Sequence, residues 1–200
     1  MTIEHHLRAR IRAGLEAIPE ADRAGTYAVS VLLYFEEDDP RRPVVHVGHN
    51  TEARVAACTP APGQAPRWPI ASSAAEARWS YAFWLQDVLA AACDEGADPE
   101  GARLRDAWAR AHGYWYSDEE EAANLDAALR RVSPLAGAFL GLLTSAVRDL
   151  HLAGEVARLV GHPVPVLVHE LEYVDETAEL AEAANPGGLA EEFARYVRSL

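Results

Sequence analysis

The sequence predicts one α+β domain over residues 1–200, in which a small antiparallel β-sheet of three or more strands packs against several α-helices. Three observations predict this class. Apolar residues recur every three or four positions across 3–18, which is the period of a helix with one buried face. β-branched and aromatic residues fill 26–35, and apolar and polar residues alternate across 164–173, as is typical of strands.

The first elements are bounded by clear stop signals. Pro19 ends the first helix, because proline cannot continue its hydrogen-bond pattern. The strand 26–35 is followed by the charged turn 36–40 and by a second strand, 43–47. So short a connection indicates an antiparallel hairpin.

A short helix is predicted over 52–58. Asn50 or Thr51 can cap its N-terminus, and Glu52 lies favourably in its first turn. The segment 59–69 holds four prolines and is predicted to be a loop.

A longer helix is predicted over 72–93. On this helix Trp84 would lie on the apolar face, with Trp79 and Phe83 beside it, and core packing is the expected role of these rings. An aromatic connector, 113–116, follows the next helix.

The second half of the chain is predicted to be mainly helical. Ser117 and Glu120 form a capping box, and Ser133 with Pro134 restarts a helix that we expect to be the most buried one. The predicted helices are 99–111, 118–132, the one beginning at 133, 176–184 and 189–200. No internal repeat and no linker is evident, which indicates a single domain.

Charge is the compositional feature that bears most on function. Acidic residues number 31 and basic residues 18, which gives a formal net charge of −13. An anionic surface disfavours nonspecific binding to nucleic acid and to anionic membranes, so we expect neither partner. Glu4 lies where a signal peptide needs an apolar run, and the uncharged stretch 132–147 is short and interrupted, so we expect a soluble cytoplasmic protein.

The sequence contains no familiar catalytic motif. Every basic residue is arginine, which excludes the lysine chemistry of P-loops and of Schiff bases. Cys58 and Cys93 are too few for a disulfide framework or a cysteine-built zinc site, and we expect both to be buried. We therefore expect no cofactor and favour a protein that is not an enzyme.

One catalytic alternative rests on histidines. His46 and His49 lie at the second strand, and His169 and Glu170 lie on the third. If those strands are neighbours, the four side chains could converge on a metal ion in a small hydrolase, or work as His/carboxylate pairs. Against this, His46 and His49 point to opposite faces of a strand unless the chain turns at Gly48.

Another alternative is a small-ligand site with an aromatic rim. The rim would consist of Trp68, Tyr114, Trp115 and Tyr116. Aromatic residues pack in protein cores more often than they line pockets, so core packing is the competing interpretation.

Carboxylates cluster in three runs, 36–39, 118–121 and 175–182. Such runs are typical of solvated faces rather than of tuned acid/base pairs. The functional interpretation is an acidic surface that docks a cationic partner, whose approach the long-range field would accelerate.

Several short motifs, in this order along the chain, resemble those of the DUF4303 family of bacterial proteins. They are the strand 27–31, Asn50-Thr51-Glu52, the stretch from Arg67-Trp68-Pro69 to Trp79-Ser80-Tyr81, and a late strand followed by Asn185-Pro186. The resemblance extends over about residues 5–198 and is broken at Ala53-Arg54, where the family has acidic residues. It implies no reaction and no catalytic residue. By analogy, small acidic bacterial proteins of this kind are linked with immunity proteins that neutralise toxins.

Our leading hypothesis is a non-catalytic, cytoplasmic protein-binding module whose partner is another protein. The more specific forms of this hypothesis are a cationic partner and, by the analogy above, a toxin. The candidate binding residues are Asn50, Thr51, Glu52, Trp68, Trp79, Tyr114 and Trp115. The hydrolase and the small-ligand site remain as alternatives.

Overall fold

One mixed β-sheet with helices on both faces organises the chain, in a computed structural model that describes residues 1–61, 63 and 68–200. The strands are β1 (Thr26–Phe35), β2 (Pro43–Thr51), β3 (Ala90–Ala92) and β4 (Val166–His169), in the order β3-β2-β1-β4. β2 pairs antiparallel with both β1 and β3, whereas β4 runs parallel to β1. The α+β class is confirmed, although the sheet is mixed rather than antiparallel throughout.

Helices make up most of the remaining structure. In the first half they are α1 (Ile3–Ala17), α2 (Glu20–Arg23), α3 (Glu52–Cys58), α4 (Ala74–Trp79) and α5 (Pro99–Ala111). In the second half they are α6 (Asp118–Ala123), α7 (Leu125–Val132), α8 (Leu135–Leu152), α9 (Glu155–Val160), α10 (Asp175–Ala184) and α11 (Glu191–Val197). The predicted helices at 3–18, 52–58, 99–111 and 176–184 are therefore confirmed to within one residue at each end.

The main core lies between one face of the sheet and the helices α1 and α8. The stripe predicted for the first helix is buried there, and its residues are Ile3, Leu7, Ile11, Leu15 and Ile18. It meets alternate residues of the strands, among them Val31, Val45 and Val166. Burying each such side chain contributes about 1.5–3 kcal/mol, so this layer supplies much of the stability.

Helix α8 is the apolar centre of this core. By length and composition alone, the helical stretch Leu125–Leu152 is long and apolar enough to cross a membrane. This differs from the expectation that the uncharged stretch 132–147 is too short and too interrupted to do so. In the fold, however, its residues Phe139, Leu143 and Val147 are fully buried against the sheet and α1. Core packing therefore accounts for its apolar stripe.

The opposite face of the sheet carries a second, smaller core. Ala28 of β1 and Leu167 of β4 pack there against Trp79, Trp84 and Phe193. Helices α10 and α11 cover this face with small residues, which lets them approach the strands closely. Residues with even numbers in β1 point to this face, and residues with odd numbers point to the main core.

The prediction of one continuous helix over 72–93 is wrong. Only α4 is α-helical there; a single 3₁₀ turn, Tyr81–Phe83, follows, and Ala90–Ala92 form the edge strand β3. The indole N–H of Trp84 donates to the carbonyl oxygen of Arg78 (2.9 Å) and fixes an irregular chain path after α4. Tertiary pairing of β3 with β2 overrides the helix propensity of the three alanines.

Smaller differences concern element ends. The helix predicted over 118–132 is interrupted at Asn124, which caps α7 through its side chain. Ser133 does not cap α8, although a helix does restart after Pro134. β2 continues to Thr51 because Gly48 stays extended and paired with Ser30, so the chain does not turn there.

Gly14 marks the closest approach of α1 to the sheet. A Cβ atom at this position would lie 2.7 Å from Cβ of Val47, well inside contact distance.

Replacing Gly14 by alanine is expected to destabilise the protein by about 1–3 kcal/mol, since overpacking outweighs alanine's better helix propensity. Urea unfolding measures this. The matched control is Gly137→Ala on α8, where the new methyl group meets nothing within 4 Å. It is expected to be neutral or stabilising by up to about 1 kcal/mol, and equal losses in both variants would contradict the packing account.

Candidate functional site

Asn50, in the Asn50-Thr51-Glu52 motif, joins the end of β2 to the segment after α4. Asn50 is fully buried. Its side-chain amide donates to the hydroxyl oxygen of Tyr27 (2.9 Å), and its carbonyl oxygen accepts from the main-chain N–H of Leu85 (3.4 Å). The Tyr27 hydroxyl in turn donates to the carbonyl oxygen of Arg78. Asn50 thus ties the two segments together inside the fold.

Thr51 and Glu52, the other two residues of this motif, make their own contacts next to Asn50. Thr51 caps α3 by accepting the main-chain N–H of Arg54 (3.2 Å). Glu52 forms a two-point ion pair with Arg78 (2.6 and 2.8 Å), whose guanidinium also lies over the ring of Tyr27 at 4.3 Å. This hydrogen-bonded pairing lowers the pKa of Glu52 below its usual range.

Trp79 belongs to the same junction. Its ring is 4% exposed and contacts Tyr27 at 5.5 Å and Phe193 at 5.8 Å. Its indole N–H donates to Glu192 (3.3 Å). Asn50 and Trp79, from two of the motifs that carry the family resemblance, therefore meet around Tyr27 in one buried network that stabilises the fold, whereas Trp68 is exposed and Arg67 lies outside the described residues.

The predicted aromatic rim is not assembled as one site. Tyr116 is buried, and Tyr114 and Trp115 are half-buried in a cluster around Trp108. Arg110 lies over the Trp115 ring at 3.9 Å. Trp68 is exposed and contacts Phe83 at 5.7 Å. In the described part of the chain, no ring contact joins Trp68 to Tyr114–Tyr116.

The four residues of the hydrolase alternative are also not brought together. His49 faces the main core and lies 3.2 Å from Asp22, whereas His46 faces the other side of the sheet and lies 3.0 Å from the Tyr34 hydroxyl. β1 separates His46 from His169, since both pair with Leu32 from opposite sides. Across residues 1–61, 63 and 68–200, no group of three or more histidine, cysteine, aspartate or glutamate side chains could hold a metal ion.

His169 is buried at the end of β4 and shapes the chain after it. Its Nδ1 lies 2.7 Å from the carbonyl oxygen of Glu170, which only accepts, so Nδ1 carries the proton. Nε2 then accepts the hydroxyl proton of Ser30 (2.8 Å). Desolvation lowers the pKa of His169 to about 4, so the ring is neutral at pH 7.

An open groove lies directly beyond His169. It has a volume of about 570 Å³ and runs between the end of β1 and the segment that leaves β4. One wall is formed by Leu33, Tyr34, Phe35, Asp38 and Pro40, and the other by Glu170, Leu171, Glu172 and Val174. We call this feature the acidic groove. It combines an apolar lining with carboxylates on both walls.

Two apolar residues of the acidic groove are unusually exposed. Leu171 is 66% exposed and Val174 is 53% exposed, although α10 begins immediately after them. The hydrophobic effect favours covering such side chains when a partner offers an apolar surface.

In the part of the chain that the structure describes, the carboxylates of the groove have no cationic partner. Within the residues that the structure describes, no ion pair reaches Asp38, Glu170 or Glu172, whereas Asp39 pairs with Arg41 at 2.7 Å. Partial burial raises the pKa of Glu170 above its usual range, because desolvation disfavours the charged form. A cation bound in the groove would offset this cost.

The turn that carries Asp38 is held in a strained conformation. Glu37 and Asp38 have φ angles of 54° and 59°, in the left-handed region that side chains rarely adopt. The turn is held by Arg41, which bonds Asp39, and by main-chain hydrogen bonds between Glu36 and Arg42 (3.0 Å) and between Arg42 and Asp39 (2.9 Å). The chain thus fixes Asp38 on the groove wall.

Sequence reasoning missed the acidic groove, although the run 36–39 was singled out as an acidic surface. The strand predicted over 164–173 includes most of the second wall, but β4 ends at His169, and the exposure of Leu171 and Val174 has no separate signal in the sequence. For Glu170 the sequence suggests only a role in the hydrolase alternative, as a metal ligand or as part of a His/carboxylate pair. The one available hint was that apolar and acidic residues alternate after His169.

Comparison with known proteins adds no identification. No protein-family model, no curated protein sequence and no solved structure matches the chain. The acidic groove is therefore interpreted from its own geometry and charge.

Proposed function

We propose that this protein is a non-catalytic, cytoplasmic binding module whose acidic groove holds a cationic segment of a partner protein. One observation carries the proposal: three carboxylates without a cationic partner in the described chain, Asp38, Glu170 and Glu172, flank an exposed apolar lining. Arginine or lysine side chains of a partner would pair with the carboxylates while apolar neighbours cover Leu171 and Val174.

The charge of the whole chain supports the same partner. At a net charge of −13, the long-range field attracts a basic protein and accelerates its encounter with the groove. A basic toxin that this protein neutralises is the specific form suggested by the analogy with small acidic immunity proteins of bacteria.

The most reactive-looking pair of side chains near the groove supports a binding role rather than catalysis. Ser30 and His169 have the spacing of a nucleophile and its base, but each is only 1% exposed. A substrate could reach Ser30 only if the side chains and helices that cover this face of the sheet moved away. The pair is better explained as a buried hydrogen bond that orients Glu170.

Pull-down from cells of the source organism tests the proposal. The wild-type protein is compared with the variant Asp38→Asn/Glu170→Gln/Glu172→Gln at low and at high salt. We expect the wild type to retain one basic protein in stoichiometric amount. The variant should retain at least about tenfold less, because each lost charge-assisted contact is worth about 1 kcal/mol or more.

A matched control carries the same change of net charge away from the groove. It is Glu20→Gln/Glu119→Gln/Asp126→Asn, at exposed positions of α2, α6 and α7. This variant is expected to retain the partner almost as well as the wild type. The proposal is wrong if no stoichiometric partner is recovered, if both variants lose it equally, or if about 1 M salt leaves binding unchanged.

A further inference from the structure

The acidic groove lies along a stretch of β1 that, in the described chain, pairs with a neighbouring strand on one side only. On one side β1 pairs with β2 as far as Phe35↔Pro43. On the other side its ladder with β4 stops at Leu32↔His169. In the described chain, the last three residues of β1, Leu33–Phe35, therefore have no strand on the groove side.

The main-chain directions on this edge follow from the register. The N–H of Val29 donates to Pro165 ahead of β4, and that of Glu36 donates to Arg42 on the β2 side. Because successive residues of a strand alternate in direction, the carbonyl of Leu33 and the N–H of Phe35 point to the groove side. The edge thus presents an acceptor and a donor with strand spacing.

We propose that the acidic groove takes an extended segment of the partner as an added strand. This strand would pair with Leu33–Phe35, in the position beside β1 that β4 occupies up to His169. This inference rests on the proposed function and specifies its mode of recognition. Main-chain hydrogen bonds give affinity in such strand addition, and alternate side chains give specificity. The segment is one in which basic and apolar residues alternate.

Charge selects this occupant over a second copy of the chain. A copy brings another net charge of −13 to a groove that is already acidic, which opposes association. The basic side chains of such a segment instead meet Asp38, Glu170 and Glu172, which have no ion pair in the described chain. Its apolar side chains meet Leu171 and Val174.

Synthetic peptides test the inference with the full-length protein. The parent probe is an end-blocked peptide of about eight residues in which lysine and valine alternate. In its glutamate analogue, every lysine is replaced by glutamate. Of two N-methylated isomers, one carries a methyl group on the main-chain amide of every lysine and the other on that of every valine. Calorimetry gives affinity, and amide chemical shifts give the binding position.

We expect the parent peptide to bind with a Kd between about 1 µM and 1 mM, to shift the amides of 33–35 and 170–174, and to bind at least about tenfold more tightly than the glutamate analogue. Alternate amides of a strand point to opposite edges. One N-methylated isomer should therefore bind as the parent does, while the other binds at least about tenfold more weakly.

The two proposals fail in different ways. Equal binding by both methylated isomers overturns strand addition but leaves a groove-dependent partner in the pull-down intact. Equal binding of the lysine and glutamate peptides overturns the proposed function itself. Shifts confined to other residues, no binding at about 1 mM peptide, or a free protein that sediments as a dimer through this edge also overturn strand addition.

Discussion

Replacing Arg105 by methionine is expected to lower the free energy of unfolding by about 3 kcal/mol. The side chain is fully buried, and its guanidinium donates to the carbonyl oxygen of Cys93 (2.8 Å) and to Asp106 (2.8 Å). Glu36 and Glu95 lie 3.9 Å away. The substitution leaves three carboxylates close together and removes the cation between them, which costs more than the lost hydrogen bonds alone.

Partial solvation sets the size of this effect. The side chains of Glu36, Asp106 and Glu95 are 23%, 31% and 51% exposed, so water screens part of their repulsion. We therefore expect the lower end of the range of about 3–5 kcal/mol for breaking a buried pair. Burial, together with Glu95 and Asp94, already raises the pKa of Glu36. Adding Glu36→Gln to the Arg105 variant should recover part of the loss.

Urea unfolding at pH 7 measures the Arg105 effect. The matched control is Arg103→Met on the same helix, where the exposed arginine pairs with Glu100 at 2.7 Å. An exposed pair of this kind is expected to change stability much less than Arg105 does, because water screens the two charges. Equal losses of stability in the two methionine variants would contradict the role given to Arg105 as the cation among Glu36, Glu95 and Asp106.

A large loss of stability is also expected as the pH falls from 6.5 to 4, and His169 is its source. Burial lowers the pKa of this ring from 6.5 to about 4, while the unfolded chain takes up the proton near pH 6.5. Between these values the unfolded state binds more protons, so acid favours unfolding. The difference of 2.5 pH units corresponds to about 3 kcal/mol.

The rings around His169 account for this shift. The ring centroids of Tyr81 and Tyr173 lie 5.1 Å and 5.5 Å from its own, and Ser30 occupies Nε2. Protonation would leave an extra N–H facing Ser30 and an unpaired buried charge. The Glu170 carboxylate follows in sequence but is not hydrogen-bonded to the imidazole in this arrangement; only its main-chain oxygen is.

Unfolding free energies at several pH values between 4 and 7 test this expectation. The comparison is with His169→Gln, whose side chain does not titrate, and with His5→Gln at an exposed position. The His169 variant should be less stable at pH 7 but should lose about 3 kcal/mol less than the wild type on acidification. A variant curve parallel to that of the wild type would show that His169 does not titrate on unfolding.

Local periodicity was sufficient to predict the main core from the sequence. The stripe of 3–18 and the apolar strand 26–35 are visible within single segments, because helix and strand spacing alone decide which side chains share a face. The Ser117 capping box is equally local and is confirmed. Fold class therefore followed from short windows of sequence.

The elements that depend on distant partners could not be predicted in this way. Ala90–Ala92 form a strand only because the edge of β2 is available, and alanine by itself favours helix. The order of the strands also had no local signal, which is why the parallel pairing of β4 was missed. His46 and His169 share a face but not a site, since β1 lies between them.

The acidic groove depends most strongly on distant pairing. Its walls come from residues 33–40 and 170–174, more than a hundred positions apart in the chain. What opens it is the early end of β4 at His169, where the predicted strand continued to 173. The negative charge of the run 36–39 was visible in the sequence. The sequence did not show that Asp38 would face Glu170 and Glu172 across an apolar lining.

Hydrogen exchange at the edge of β1 tests the central claim most directly. The N–H of Phe35 points to the groove, whereas that of Tyr34 points to β2. Saturating lysine–valine peptide is predicted to slow exchange of the Phe35 amide by at least about tenfold and to leave the Tyr34 amide nearly unchanged. A Phe35 amide that exchanges at the same rate with and without bound peptide would contradict strand addition at this groove.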